Sequence, residues 1–299
     1  MKQNYILYNP LADNGKGEEH AQDLQRRYGR HDFVFFDMTK IEDYRQFFKD
    51  IPLGDRVYIC GGDGTLNRFI NDTKGLMIKH KLYYYACGSG NDFVRDLVKS
   101  PGDVFQVNGY LRDLPVVTVK GKEYLFLNNV GFGIDGYCCE VGDKLRKEKP
   151  KKKINYTAIA VKGLLFHYKP TKATVIVDGK EYNYKKVWLA PTMNGRYYGE
   201  GMMPTPHQRR TNAQRSVSLM VLHGSEKLKT LKIFPSIFKG THTDYPKNVR
   251  IFSGHNITVK FDKPRTLQID GETITDVSEY TVKSAFAVSE EKRKQRMHV

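Results

Sequence analysis

Residues 60 to 72 read CGGDGTLNRFIND, in which three glycines, Gly61, Gly62 and Gly64, surround a single carboxylate, Asp63. Glycine lets backbone amides approach a ligand closely, and the turn between a strand and the start of a helix is where phosphates bind. The amides of these glycines, with side-chain donors from Thr65 and Asn67, suit a polyphosphate. Asp63 in their midst would repel one unless a cation lay between. A second stretch, CGSGNDF, repeats the ingredients at Gly88, Ser89, Asn91 and Asp92. Two carboxylates facing one polyphosphate suit Mg²⁺, which keeps several waters and takes one or two carboxylates plus phosphate oxygens. Near the end, LQIDGET sets Asp270 and Glu272 on either side of Gly271, where either could accept the proton of an attacking hydroxyl.

Each motif taken alone also has a structural reading. Asp63 and the Asn91-Asp92 pair suit helix N-caps, and Asp270-Gly271 between two strands suits a hairpin turn. The first loop is neither a P-loop, because no Gly-Lys-Ser/Thr follows, nor a dinucleotide fingerprint.

The elements that must position these residues alternate in the first part of the chain. Strand signals at NYILYN (4–9), HDFVFFDMT, RVYIC and KLYYYAC are separated by helix signals at GEEHAQDLQRRYG, IEDYRQFFKDI, the stretch from the glycine loop through Met77, and FVRDLVK. Such alternation predicts a parallel sheet covered on both faces, with ligands outside the carboxyl ends of the strands. Asn9-Pro10 with Asp13 to Gly17, Gly61 to Asn67, and Gly88 to Asp92 each follow a strand, so they should share one rim. From about residue 114 the texture becomes short strand-like runs split by Gly, Asp or Pro turns, which predicts an antiparallel sandwich or barrel. One helical stretch, 154–168, apolar nearly all round, interrupts it. The reading is therefore a Rossmann-like α/β nucleotide-binding domain over 1–115, an antiparallel β-sandwich over 116–285, and a basic tail over 286–299 that packs back on the first domain.

Composition narrows the partners. The 299 residues carry 49 Lys plus Arg against 33 Asp plus Glu, a formal charge of +16, which favours an anionic partner. No apolar run is long enough to span a membrane, and the first residues enter a strand without the pattern of a signal peptide, so a cytoplasmic protein is expected. Cys60, Cys87, Cys138 and Cys139 lack zinc spacing and read as small buried thiols. No helix-turn-helix, RRM or zinc signature marks a nucleic-acid binder, and the basic residues are spread through both halves.

In order, YNPLADNGKG, GGDGTLN, GSGNDF and DGE resemble the motifs of the bacterial soluble lipid kinases of the diacylglycerol kinase catalytic-domain family, relatives of sphingosine and ceramide kinases. FLNNVGFGIDG and MNGRYYGEGMMPTP resemble segments flanking that family's lipid cleft, and GTHTDYP a region before its late acidic motif. The resemblance spans nearly the whole chain. It implies phosphoryl transfer from ATP to a lipid hydroxyl, with ATP bound between the two domains. Asn9, Pro10, Asp13, Thr39, Gly61, Gly62, Gly64, Thr65, Asn67 and Ser89 would then contact ATP. Asp63 and Asp92 would order Mg²⁺, partly through water, and Glu272 would be the general base, with Asp270 the alternative. Thr39 also suits an N-cap for a helix at 41.

One departure concerns a structural Mg²⁺ that relatives often hold with an Asp-Gly pair. Arg215-Ser216 stands at that place, so this second metal site is expected to be absent. Diacylglycerol, giving phosphatidic acid, is the leading acceptor. The apolar stretch 154–168 and the adjoining run KLRKEKPKKK (144–153) would rest the protein peripherally on an anionic leaflet. An exposed strand edge would allow a homodimer. The competing readings are a soluble metabolite kinase of the NAD kinase type, a non-catalytic nucleic-acid-binding protein, and a family member that has lost activity.

Overall fold

The computed structural model describes residues 3–28, 33–88, 90–148 and 154–297. The chain divides into two compact units, Met1–Asp113 and Leu114–Val299.

The first unit is built on β1 (Asn4–Tyr8), β2 (Phe33–Asp37), β3 (Arg56–Gly61), β4 (Lys81–Ala86) and β5 (Val104–Gln106). Their order is β2-β1-β3-β4-β5; the first four run parallel and β5 closes the edge antiparallel to β4. Helices cover both faces, which is why RVYICG is buried from its second residue onward instead of alternating. On one side Ile6, Tyr58, Cys60 and Tyr85 pack against Ala21 and Leu24 of helix Gly17–Arg27. On the other, Phe36, Tyr44, Phe47, Phe48 and Phe69 form a chain of edge and tilted ring contacts. Two helices are shorter than the sequence pattern suggests. Helix Tyr44–Asp50 starts late because the Asp43 carboxylate accepts from the amides of Arg45 and Gln46, capping it there. Helix Asp63–Asp72 stops five residues before Met77: the Thr73 hydroxyl donates to the Phe69 carbonyl, and Gly75 turns away with φ +82°.

The second unit contains β6 (Val116–Val119), β7 (Lys122–Leu125), β8 (Asn129–Phe132), β9 (Thr171–Val177), β10 (Lys180–Val187), β11 (Thr192–Met193), β12 (Val217–Leu222), β13 (Val249–Gly254), β14 (Asn256–Ile269) and β15 (Glu272–Lys283). All pairings are antiparallel. The long β14 creates the sandwich. One edge follows β15, while the other pairs with β9 over Ile257–Phe261 and with β8 over Leu267–Ile269. Between these halves the register shifts around Asp262, Lys263 and Pro264, where a proline cannot donate to the ladder and the strand bends. Phe132 stacks on Phe261 at 3.9 Å inside the bend, in a core shared by β6, β8, β9, β12, β14 and β15. Along β12, Val217, Leu219 and Val221 face this core, while Met220 and Leu222 join a second core under helices.

That second core corrects the expectation of a single helical interruption. Helix Ile134–Glu148 precedes it, and Lys227–Ile233 and Ser236–Lys239 follow. The sequence hides the first because GIDGYCCEVG is rich in residues of low helix propensity. Gly136 is needed: a Cβ there would lie 1.9 Å from the Thr266 carbonyl oxygen of β14. The predicted stretch 154–168 is helix Tyr156–Lys162 followed by a π-turn, Gly163–His167. It is one-sided rather than apolar all round, burying Ala160, Leu164 and Tyr168 in the second core. The C-terminal segment is helix Ala285–Met297, in which Phe286 meets His255 at 4.8 Å and Glu291 pairs with Lys283.

Candidate active site

Four loops leave the carboxyl ends of the four parallel strands, and they carry the sequence-predicted residues of the first unit. β2 delivers Thr39, β1 delivers Asn9 to Asp13, β3 delivers Gly61 to Asp63, and β4 delivers Gly88 to Asp92. Neighbouring strands therefore bring these residues onto one rim.

The two glycine loops cross backbone to backbone. A Cβ on Gly88 would come within 2.4 Å of the Gly62 Cα, and one on Gly62 within 3.0 Å of the Gly88 Cα. Tyr84, fully buried, donates its hydroxyl to the Gly61 carbonyl, and the Cys87 amide donates to the same oxygen. At this crossing, Oδ2 of Asp63 accepts from the amides of Asp92 at 2.8 Å and Phe93 at 3.3 Å. The first loop's carboxylate thus caps the helix Asp92–Asp96 of the second loop. Asn91, expected as that cap, is instead in the left-handed region at φ +49° with its side chain donating to the Gly88 carbonyl. Asp92 is itself buried, and its amide rests on the Asp63 carboxylate at the loop crossing. Carboxylate oxygens on such a rim suit a hard divalent ion.

Other rim residues are placed as follows. The Asn9 side chain accepts from the Leu11 amide, shaping the turn through Pro10. Asp13, at φ +47°, pairs with His20 at 3.0 Å. Thr39 does not cap the next helix; its amide and hydroxyl both donate to Asp37, leaving the hydroxyl only as an acceptor toward a ligand. Thr65 and Asn67 lie buried in the first turns of helix Asp63–Asp72, with Thr65 packed beneath Gly61, so neither projects from the loop. Ser89 lies outside the described residues. Cys60 and Cys87 are free thiols with sulfurs 3.6 Å apart, and burial pushes the Cys138 thiol up to about 12.

In the second unit, Asp270 and Gly271 form the hairpin tip between β14 and β15, with φ of +47° and +94° and Ile269 paired to Glu272. The Asp270 carboxylate accepts from three consecutive amides, those of Leu127, Asn128 at 2.7 Å and Asn129 at 2.9 Å. Its oxygens are thereby committed to holding the hairpin against β8. Gln268 accepts from the Gly271 amide at 2.8 Å, and Asp143 of helix Ile134–Glu148 accepts from the Thr273 hydroxyl at 2.9 Å. Glu272, at the start of β15, keeps its side chain exposed on this braced turn.

Several participants escaped the sequence reading. Arg210 donates to the Leu127 carbonyl and to Asn128 Oδ1, and Asn194 donates to the same Leu127 carbonyl, completing the cradle around Asp270. The segments holding Asn128 and Asn194 were visible as motifs; Arg210, in an irregular loop, carried no signal. The loop ending at Arg215, which has φ +50°, is closed by amides. Gln208 Nε2 donates to the carbonyls of Asn194 and Ser216, Asn212 brackets Ser216 through both its amide atoms, and Ser218 donates to Gln208. With these bonds made by protein groups, EDTA is expected to leave the thermal midpoint of the nucleotide-free protein unchanged, whereas Gln208→Ala should lower it. A clear drop with EDTA in differential scanning calorimetry would mean that a metal supports this loop.

Asp135 was also overlooked. It is buried at the start of helix Ile134–Glu148, accepts from the Gly136 amide at 2.9 Å, and sits with Gln268 over Gly131. Burial pushes its pKa from 3.8 up to about 6. The folded state therefore favours the protonated form: the associated stability is full below about pH 4 and is lost as pH rises through 6. Asp135→Asn should stabilise the protein at pH 8 by about 2–3 kcal/mol, the gap closing toward pH 4. Urea unfolding at the two pH values checks this, and an equal gap at both would contradict it.

Both units match known families. Residues 3–114 match the diacylglycerol kinase catalytic domain, and residues 128–285, more than half the chain, match the YegS C-terminal NAD kinase beta sandwich-like domain. The chain is 24% identical over 287 residues to the diacylglycerol kinase of Bacillus subtilis, covering 91% of this chain and 90% of that one. It is 25% identical over 199 residues to the diacylglycerol kinase of Mycobacterium tuberculosis, where the match takes in 64% of this chain and spans 62% of the relative. The crystal structure of a diacylglycerol kinase from Bacillus anthracis shares the fold, with a TM-score of 0.62, 17% identity and 95% of each chain covered. An α/β unit with two crossed glycine loops, followed by an antiparallel sandwich with a braced Asp-Gly-Glu hairpin, is joined here to family matches over both units, and the chain belongs to the bacterial diacylglycerol kinase-like lipid kinases.

Proposed function

We propose that the protein transfers the γ-phosphoryl group of ATP to a lipid hydroxyl, with diacylglycerol as the acceptor and phosphatidic acid as the product. The observation that carries the reading is the junction of Asp63 and Asp92 at the crossing of the two glycine loops. Phosphoryl transfer needs positioning and charge neutralisation more than covalent chemistry. Amides of Gly61, Gly62 and Gly64 would hold phosphate oxygens, and the turn at Asn9 and Pro10, with Asp13 and Thr39, would border the nucleotide.

The residues present fit Mg²⁺. Asp63 and Asp92 meet at the loop crossing, and Mg²⁺ is commonly held by one or two carboxylates and otherwise by phosphates and water. Asp63 and Asp92 would hold it, and it would supply charge neutralisation on the transferred group. Glu272 is the better base: it is exposed and lies on a rigid turn, whereas Asp270 accepts from three amides. Its carboxylate would take the acceptor hydroxyl proton as the oxygen attacks phosphorus.

A panel of lipid alcohols in detergent mixed micelles with Mg-ATP tests the assignment: diacylglycerol, phosphatidylglycerol, long-chain alcohols and glycolipid precursors. The reading expects one phosphorylated lipid by mass spectrometry, with diacylglycerol the best acceptor. Phosphorylation of NAD in place of every lipid would overturn it.

A further inference from the structure

Cys60 and Cys87 each stand one residue before a glycine loop, at the carboxyl ends of β3 and β4. Cys60 pairs with Tyr85 in the parallel ladder, and Cys87, two residues further on, returns to the same face of the sheet. Their sulfurs therefore meet, 3.6 Å apart, beside Ile6, Ala21, Leu24 and Tyr85. Cys60 is wholly buried, whereas Cys87 is half-buried. A buried thiol by itself is an inert small hydrophobe, but a sulfur that solvent reaches, next to a second sulfur, is the arrangement in which oxidation ends in a disulfide.

The backbone beside the pair is bound into the loop crossing. The Cys87 amide donates to the Gly61 carbonyl at 3.1 Å, and Gly88 lies against the Gly62 Cα. The Gly88 carbonyl accepts from the side chain of Asn91, which adjoins the Asp92 and Phe93 amides resting on Asp63. Disulfide sulfurs lie about 2.05 Å apart, so this pair must close from 3.6 Å by about 1.5 Å. Cys60 belongs to β3, which is paired on both sides, so the displacement falls on Cys87 and on Gly88 beside it. The crossing has little slack, since it does not admit even a Cβ on Gly88.

We infer that Cys60 and Cys87 form a reversible disulfide under a peroxide oxidant, and that this bond distorts the loop crossing and weakens nucleotide binding. The Cys87 sulfur attacks one oxygen of hydrogen peroxide, the O–O bond breaks, and hydroxide leaves with the thiol proton as water, giving a sulfenic acid. The Cys60 sulfur then attacks that of Cys87. The S–S bond forms as the S–O bond breaks, and hydroxide leaves with the Cys60 proton as a second water. Two thiols thus lose two electrons and two protons, and the peroxide is reduced to water. Formation of the bond is a property of the pair alone, whereas its effect on nucleotide rests on the kinase reading.

The test treats the reduced full chain with hydrogen peroxide, then unfolds it and labels it with N-ethylmaleimide. Two of the four cysteines should lose their label, dithiothreitol should restore it, and tandem mass spectrometry should place the link between Cys60 and Cys87. Oxidation should weaken Mg-ATP binding about tenfold in calorimetric titration. Cys87→Ser should bind as the reduced wild type does, with or without peroxide. By linkage, saturating Mg-ATP should make the midpoint potential of the pair less negative by about 30 mV, the equivalent of tenfold for a two-electron couple. Four labelled thiols after peroxide would overturn the inference. So would a Cys60–Cys87 link that leaves nucleotide affinity unchanged, or equal peroxide sensitivity in Cys87→Ser. If the reduced protein binds no Mg-ATP, the kinase reading falls and hydrogen exchange decides the inference separately: faster exchange of the Asp92 and Phe93 amides on oxidation supports it, and unchanged exchange overturns it.

Discussion

Glu272→Gln should lower the rate of phosphoryl transfer about 10²- to 10⁴-fold, the range associated with a positioned general base, while leaving thermal stability and Mg-ATP affinity unchanged. The separation follows from the hairpin. Asp270, Gly271 and Gln268 fix the turn, and helix Ile134–Glu148 braces its flank, so the Glu272 side chain contributes little to the fold. Glutamine preserves size and polarity but cannot take the proton. Asp270→Asn is the informative companion: it weakens charge-assisted bonds from three amides, so its loss of activity should come with a lower midpoint. Stopped-flow turnover and scanning calorimetry on both variants distinguish the roles. If Asp270→Asn silenced the reaction at full stability while Glu272→Gln remained active, the assignment of the two carboxylates would be reversed.

Asp63→Ala should combine both kinds of damage. Oδ2 of Asp63 caps helix Asp92–Asp96, and removing a cap costs about 0.5–2 kcal/mol. The same substitution removes one of two carboxylates proposed to hold Mg²⁺, so turnover should fall by about 10³-fold or more, comparable to removing a key stabiliser of developing charge. Asp63→Asn refines this: an amide oxygen can still accept from the Asp92 and Phe93 amides, so the fold should recover while turnover does not. Urea denaturation together with the Mg²⁺ dependence of turnover provides the two readouts. Unchanged turnover in Asp63→Asn would remove the metal role and leave Asp63 as a helix cap alone.

That long-range cap explains part of what the sequence could and could not reveal. The rim was legible because each glycine loop follows an apolar run, and parallel strands place consecutive loops at the same end of a sheet. The cap was not, because Asp63 serves a helix that begins 29 residues later, and local pattern instead nominates Asn91. Thr65 and Asn67 looked like loop donors, yet helix geometry turns both inward. The sandwich was readable from alternation and turn residues. Helix Ile134–Glu148 was not, since Gly136, which lets it approach β14, and Gly142, which makes room for Tyr156, also depress its helical signal. The three-residue β5 offered too short a run to register. Asp135 and Gln268 were invisible for a related reason: a buried carboxyl and an amide sharing space over Gly131 are a product of tertiary packing. Asp270-Gly271 is the hairpin turn that local pattern suggests, and its aspartate holds that hairpin against β8.

The most direct test of the account follows the γ-phosphate. Wild-type protein, Asp63→Asn and Glu272→Gln are incubated with γ-labelled ATP and diacylglycerol in mixed micelles, with and without Mg²⁺, and the label is counted in the organic and aqueous phases. The account predicts Mg²⁺-dependent label in the organic phase for the wild type and almost none for either variant. Organic-phase label of equal size in all three proteins, or wild-type label confined to a water-soluble product, would contradict it.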